Sequence, residues 1–202
     1  MATENIKYYS SDLTPFGVSY GAWTVEWWRW AMSFPPELSP VNDETGKYAN
    51  SGQPRDVFFL AGKFGNENNR FPRRRCVIPH SKSILLPTLN CQANLLEDSD
   101  LSTADAIREH VKKDINTIIK NNCYVNGIRI PSIRIPSDPF VFSIKLMKEF
   151  EGNMHLESTL AAADGYWVFL KPLPVGEYEI NFRGSCEQGR LSSGADYVIT
   201  IE

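Results

Sequence analysis

The sequence predicts a mainly β (α+β) fold. The expected architecture is an antiparallel β-sandwich of jelly-roll or immunoglobulin-like type, with a buried tryptophan-rich helix near its start and a second, amphipathic helix on its surface. Three observations predict it. Short apolar runs recur from residue 57 onward, and the 13 prolines and 13 glycines that punctuate the chain favour many strands over a helix bundle. Among these runs, 102–121 alone carries a helical period, so the strands are joined by turns rather than by helical crossovers. Finally, four of the five tryptophans fall within 19–34 at a spacing that places them on a helix.

That helix has Ser19 as its N-cap, and Pro35-Pro36 forbids continuation past Phe34. At about 100° per residue, Tyr20, Trp23, Trp27, Trp30 and Phe34 form one stripe. Val25, Trp28 and Met32 widen it until Ala22, Glu26, Arg29 and Ser33 alone remain for solvent. A helix so apolar is expected to be buried, each tryptophan removing roughly 200 Å² from water. Residues 1–18 read as an extended lead-in. Residues 35–56, rich in Pro, Asn, Asp, Gly and Ser, form a long irregular stretch of the kind that is usually either functional or poorly ordered.

The sandwich is expected over 57–202. Val57-Phe-Phe-Leu-Ala61 is a buried strand, and 75–78 and 82–88 are two more, with Pro87 placing the second at an edge, an end or a bulge. The second helix spans 102–121, with Ser102 and Asp105 as a capping box and an apolar stripe of Ile107, Val111, Ile115, Ile118 and Ile119. Asn121-Asn122 suits its left-handed exit. Asn126-Gly127 predicts a type I′ hairpin. Ile-Arg-Ile-Pro-Ser then occurs twice, at 128–132 and 133–137, as an irregular edge. Phe140 to Leu146 alternates as a strand does, 148–164 reads as loop with a helical turn at 160–163, and strands follow at 166–170, 177–183 and 197–201, the last two separated by a loop at 184–195.

Bulk properties exclude several classes. With 202 residues the chain is long enough for one sizeable core, and a single domain over 1–202 is expected. A net charge of −3 gives no general attraction for nucleic acid, and no apolar run is long enough to span a membrane. The first residues lack the apolar segment of a signal peptide, so the expected location is cytoplasmic, or outside the cell for a chain whose signal has been removed. Cys76, Cys91, Cys123 and Cys186 have no C-x-x-C spacing, so zinc is not expected. Their even number permits two disulfides, but nothing in a chain of this size requires them.

Tyr20-Gly-Ala-Trp-Thr-Val-Glu-Trp-Trp-Arg-Trp30 resembles the "YGxWTxxWWxW" opening of a family of small bacterial and archaeal proteins, generally exported and labelled only as hypothetical. The likeness continues through Asp43-Glu-Thr-Gly46, Gln53 with Val57-Phe-Phe-Leu-Ala-Gly62, and Arg75-Cys-Val-Ile-Pro79. It closes with Ala163-Asp-Gly-Tyr-Trp-Val-Phe-Leu-Lys-Pro-Leu-Pro-Val-Gly176. Ala22 stands where the pattern has an acid, His80 interrupts a Pro-x-Gly-Lys turn, and a cysteine expected near Tyr48 is missing, which removes a partner for Cys76. The resemblance implies the fold and an exported ancestry but no mechanism.

No nucleophile elbow, phosphate loop, dinucleotide fingerprint or metalloprotease helix is present, and no cofactor or metal is expected. His80 and His110 read as turn and surface residues. His155 with Glu157 and Asp164 lacks any ligand spacing. Asn42-Asp-Glu-Thr-Gly-Lys47 is read as a surface turn rather than a calcium loop, and Arg73-Arg-Arg75 as a solvated strand end. What remains is a tryptophan-lined cleft facing the 35–56 stretch. Aromatic platforms beside amides and acids suit sugar rings, which have apolar C–H faces and hydroxyl edges. Glu26, Asp43, Gln53, Asn90, Asp164 and Lys171 are the polar residues expected to complete such a cleft. The function predicted is therefore a non-catalytic sandwich binding a carbohydrate or similar polymer, or a component of an assembly. The alternative is a small hydrolase or lyase using the carboxylates of Glu26, Asp43 and Asp164.

Overall fold

A computed structural model describes residues 6–65, 70–98, 100–147, 154–187 and 191–202. It is mainly β, with two sheets and two principal helices, in a sandwich-like arrangement. The tryptophan segment forms α1 (Tyr20–Ala31). The Ser19 hydroxyl accepts the Ala22 N–H, as an N-cap should, and the helix stops before Pro35. The strands are β1 (Val57–Phe59), β2 (Lys63–Gly65), β3 (Arg73–Ile78), β4 (Ser83–Asn94), β5 (Ile118–Val125), β6 (Ile128–Arg129), β7 (Ile133–Arg134), β8 (Phe140–Met147), β9 (Met154–Leu170), β10 (Gly176–Cys186) and β11 (Ser192–Ile201), with α2 (Ala104–Asn116) between β4 and β5.

One sheet runs β1-β4-β9-β7 with β8 also on β9; the other runs β2-β11-β10-β5-β6 with β3 also on β11. Most pairings are antiparallel, but β1–β4 and β3–β11 are parallel. Odd-numbered residues of β9, such as Ala163, Trp167 and Phe169, pack on α1, while Val168 and Leu170 face the second sheet. The first sheet is thus covered on one face by α1 and on the other by its partner sheet. Beside the partner sheet, on the same face of the first, α2 buries Ile107, Val111 and Ile115 against Leu89 of β4 and Ala162 of β9, with Cys186 of β10 adjoining.

Several boundaries differ from expectation. The second helix is shorter than 102–121, is capped by Thr103 rather than Ser102, and gives way at Ile118 to β5, so Asn121-Asn122 lies within a strand. Ile119 is 61% exposed and not part of the helix stripe. Residues 160–163 are not a helical turn; they are the middle of β9, paired with β4 on one side and β8 on the other. The loop at 184–195 is largely strand, because β10 and β11 pair from Gly176↔Ile201 to Ser185↔Ser192. Pro87 sits at the bulge where β4 shifts register on β9. The hairpin holds as expected: Asn126 and Gly127 have φ of 48° and 76°, the left-handed pair that a type I′ turn requires.

Trp27 is fully buried, edge-on to Trp28, Trp30 and Trp167, and its Nε1–H donates to the Leu60 carbonyl at 3.0 Å. Trp23 and Trp30 likewise donate to the carbonyls of Pro15 and Ser51. Arg74, read from sequence as solvated, is 0% exposed. β3 alternates out and in, so Arg73 and Arg75 face solvent while Arg74 joins Cys76 and Ile78 inside. Its guanidinium donates to the carbonyls of Val41 (2.8 Å), Asp43 (2.6 Å) and Ala61 (2.5 Å), and to the Tyr197 hydroxyl (3.0 Å). All four cysteines are free and buried. Burial pushes the thiols of Cys76 and Cys123 up to about 12.

Two substitutions test this core. Trp27→Ala should cost about 3–5 kcal/mol in denaturant unfolding, as truncation of a fully packed aromatic does. Arg74→Lys should cost at least about 2 kcal/mol despite keeping the charge, because an ammonium cannot reach four acceptors set for a planar fork. A loss under about 0.5 kcal/mol in either variant would contradict the packing described.

Candidate functional site

The six polar residues expected to line one cleft do not meet. Asp43 and Gln53 serve the 35–56 segment itself. The Asp43 carboxylate, on a residue 9% exposed, accepts the N–H groups of Thr45 and Tyr48 at 2.8 Å each and the Thr45 hydroxyl at 3.0 Å. Burial opposes its ionisation, but the hydrogen bonds from Tyr48 and Thr45 outweigh this and hold its pKa below the usual carboxylate value. The Gln53 amide accepts the Phe59 N–H and donates to the Phe59 carbonyl, occupying the place of a neighbouring strand on β1. The segment is therefore a built part of the fold rather than a free recognition loop.

Glu26 pairs with Arg29, whose guanidinium also covers the Val141 carbonyl of β8. Asp164 is 3% exposed and held by a two-point contact from Arg134, beside a cleft between α2 and β9. Lys171 lies over the Tyr9 ring at 5.1 Å, where the lead-in joins the end of β9. The three acids of the hydrolase alternative thus stand on separate neighbours: Thr45 and Tyr48, Arg29, and Arg134. The side chains of His155 and Glu157 lie outside the described residues. Among the described residues, no three acids, histidines or cysteines cluster as a metal site.

Asn90 is the exception. It lines a pocket of about 410 Å³ between α1, the segment that follows it, β2 and β4. The bulge at Pro87/Leu89 shifts the alternation of β4, so that Leu89 and Cys91 pack toward α2 and Asn90 projects toward α1. Its partner across the ladder is Gly165, where a Cβ would come within 2.6 Å of the Asn90 Cβ. Glycine at that position is what lets the amide stand there.

Aromatic and aliphatic groups make the walls, among them Trp28, Met32, Phe34, Val41, Phe64 and Leu191. Trp28 and Phe64 are stacked, 6.1 Å between centroids and 11° between planes. Asn42 and Gln92 add carboxamides, and the described lining carries no charged residue. Asn90 is 2% exposed, yet neither its Oδ1 nor its Nδ2 has a hydrogen-bond partner, and the Trp28 Nε1 is also unpartnered. Six described residues carry a buried polar atom without a partner, and Asn90 and Trp28 are the two of them that line this pocket. Since buried polar groups are almost always satisfied, the pair marks a site for something else to complete. Sequence reading named Asn90 but missed Trp28 and Phe64 as its company. The available signal was Trp28, which lies off the main aromatic stripe of α1.

No family model, no characterised protein and no solved structure matches the chain in comparison with known proteins.

Asn90→Leu keeps the branched shape at a somewhat larger volume and removes the unpaired amide. It should stabilise the ligand-free protein by about 1 kcal/mol, since a buried polar group without partners costs about 1–3 kcal/mol; a loss of stability would make the amide structural. Asp43 predicts a pH effect of fixed sign. Its pKa is lower folded than unfolded, so its contribution is present above the ordinary carboxylate pKa and is lost as pH falls through the lowered value. Asp43→Asn should lose stability at neutral pH and close the gap to wild type as pH falls below the ordinary carboxylate range, followed by urea unfolding at each pH.

Proposed function

We propose that the chain is a non-catalytic β-sandwich binding protein that takes one ring of a carbohydrate, free or within a polymer, into the pocket between α1 and β4. The observation that carries this reading is the Asn90 amide, buried on the pocket with neither of its polar atoms satisfied. A sugar supplies what Asn90 lacks, hydroxyls for its two polar atoms, and its C–H faces suit the walls. The described lining carries no charge, which favours a neutral ring.

Non-catalytic binding is favoured over hydrolysis by the state of the carboxylates. Glycosidic cleavage needs two carboxyl groups facing one bond, roughly 5–10 Å apart. Here Asp43 is engaged by its own turn, Glu26 by Arg29 and Asp164 by Arg134.

A panel of neutral methyl glycosides and soluble oligosaccharides, read by thermal unfolding, tests the proposal. A ligand at a hundredfold its Kd adds about 2.7 kcal/mol, a rise in Tm of roughly 5–10 °C for a chain of this size. Asn90→Leu should abolish the shift. A shift that survives Asn90→Leu would place binding elsewhere, and sugar release that disappears in Asp164→Asn would favour the hydrolase.

A further inference from the structure

The pocket also specifies which edge of the ring it holds. We infer that the ligand is bound through a vicinal diol, one hydroxyl donating to Asn90 Oδ1 and its neighbour accepting from Asn90 Nδ2. This rests on the binding reading above and narrows it.

A carboxamide sets an acceptor and a donor side by side. A ligand with a single hydroxyl or carbonyl satisfies one of them and leaves the other buried and unpaired. Among ring ligands two kinds of edge satisfy both: adjacent hydroxyls on a saturated ring, and the donor–acceptor edge of a planar heterocycle such as adenine. The walls decide between them. Flat bases are gripped by stacking on aromatic planes. The parallel pair present, Trp28 on Phe64, is already closed at 6.1 Å, and no ring enters between them. Much of the remaining wall is aliphatic, including Ala31, Met32, Pro36, Val41 and Leu191, and suits the puckered C–H surface of a saturated ring.

The unpartnered Trp28 Nε1 points the same way. It is a donor only, so it needs an acceptor from the ligand. A hydroxyl can donate to Asn90 and accept from an indole at once. No charged side chain is described on the lining to meet a phosphate or carboxylate, so the diol belongs to an unmodified part of the ligand.

Small probes at millimolar concentration test this by ligand-observed saturation-transfer NMR. They are trans-1,2-cyclohexanediol, cis-1,2-cyclohexanediol, 1,4-cyclohexanediol, cyclohexanol and adenine. At least one 1,2-diol should bind about tenfold tighter than the 1,4-diol and cyclohexanol, because a site built for a hydroxyl pair rejects analogues lacking it. Asn90→Leu should erase this preference while cyclohexanol still binds. Trp28→Phe, which keeps a ring but removes the Nε1–H, should weaken the 1,2-diol several-fold and leave cyclohexanol unchanged. Equal binding of all four alcohols would overturn the diol inference and leave the pocket as a ring-binding site. Binding of adenine alone would overturn both the diol and the carbohydrate reading. If no probe binds the wild-type protein, the pocket is not a ring-binding site and both readings fall.

Discussion

A buried guanidinium holds the molecule's parts in register. Arg74 has no carboxylate within ion-pair distance among the described residues, and four of its donors end on oxygens from three regions of the chain. Burying a charge costs several kcal/mol, and charge-assisted hydrogen bonds offset this only when the acceptors are already in place. Val41 and Asp43 come from the segment after α1, Ala61 from the link between β1 and β2, and Tyr197 from β11. The Asp43 carboxylate shapes the turn whose carbonyl Arg74 needs, so one acid and one base cooperate without touching.

The same arrangement gives the pocket its rigidity. Ser39, Val41 and Asn42 close it on one side, and the Val41 carbonyl is fixed by Arg74. On the other side Trp27 is locked among three indoles and holds the helix face from which Trp28 projects. Three indole N–H groups of α1 are spent on carbonyls of the surrounding chain. The fourth is not. Unsatisfied groups held on a rigid frame cost stability in the free protein and reduce the ordering a ligand must impose.

Much of the frame was legible from sequence, and the exceptions have physical causes. The tryptophan helix, its Ser19 cap, the Pro87 bulge and the Asn126-Gly127 turn depend on local chemistry, and each is where the residues place it. β9 was missed across 154–165 because alanine, serine and aspartate carry little strand preference; pairing on both sides imposes the strand. The alternation of β3 was visible, but a buried arginine in phase with Cys76 and Ile78 is credible only with its acceptors, which lie 13 to 123 residues away. Asp43 and Gln53 look like recognition residues because polar loop side chains do; whether they face a ligand or their own backbone is decided by closure of the loop. Asn90 was named as a polar residue at an element end, whereas it stands within β4, and its isolation is a property of the fold.

The parallel pairing of β3 with β11 bears on how the chain is made. β11 lies inside the second sheet, with β10 on one side and β2 and β3 on the other, and it carries the Tyr197 that completes the Arg74 cage. A ribosome releases β3 more than a hundred residues before β11. Throughout that interval Arg74 lacks one of its four acceptors, the Tyr197 hydroxyl, and β2 and β3 lack the strand they lie against. Long-range pairing of this kind is slow and leaves strand edges open to other chains. Folding of this sheet therefore waits until β11 has been made, and its yield depends on what shields the early strands until then.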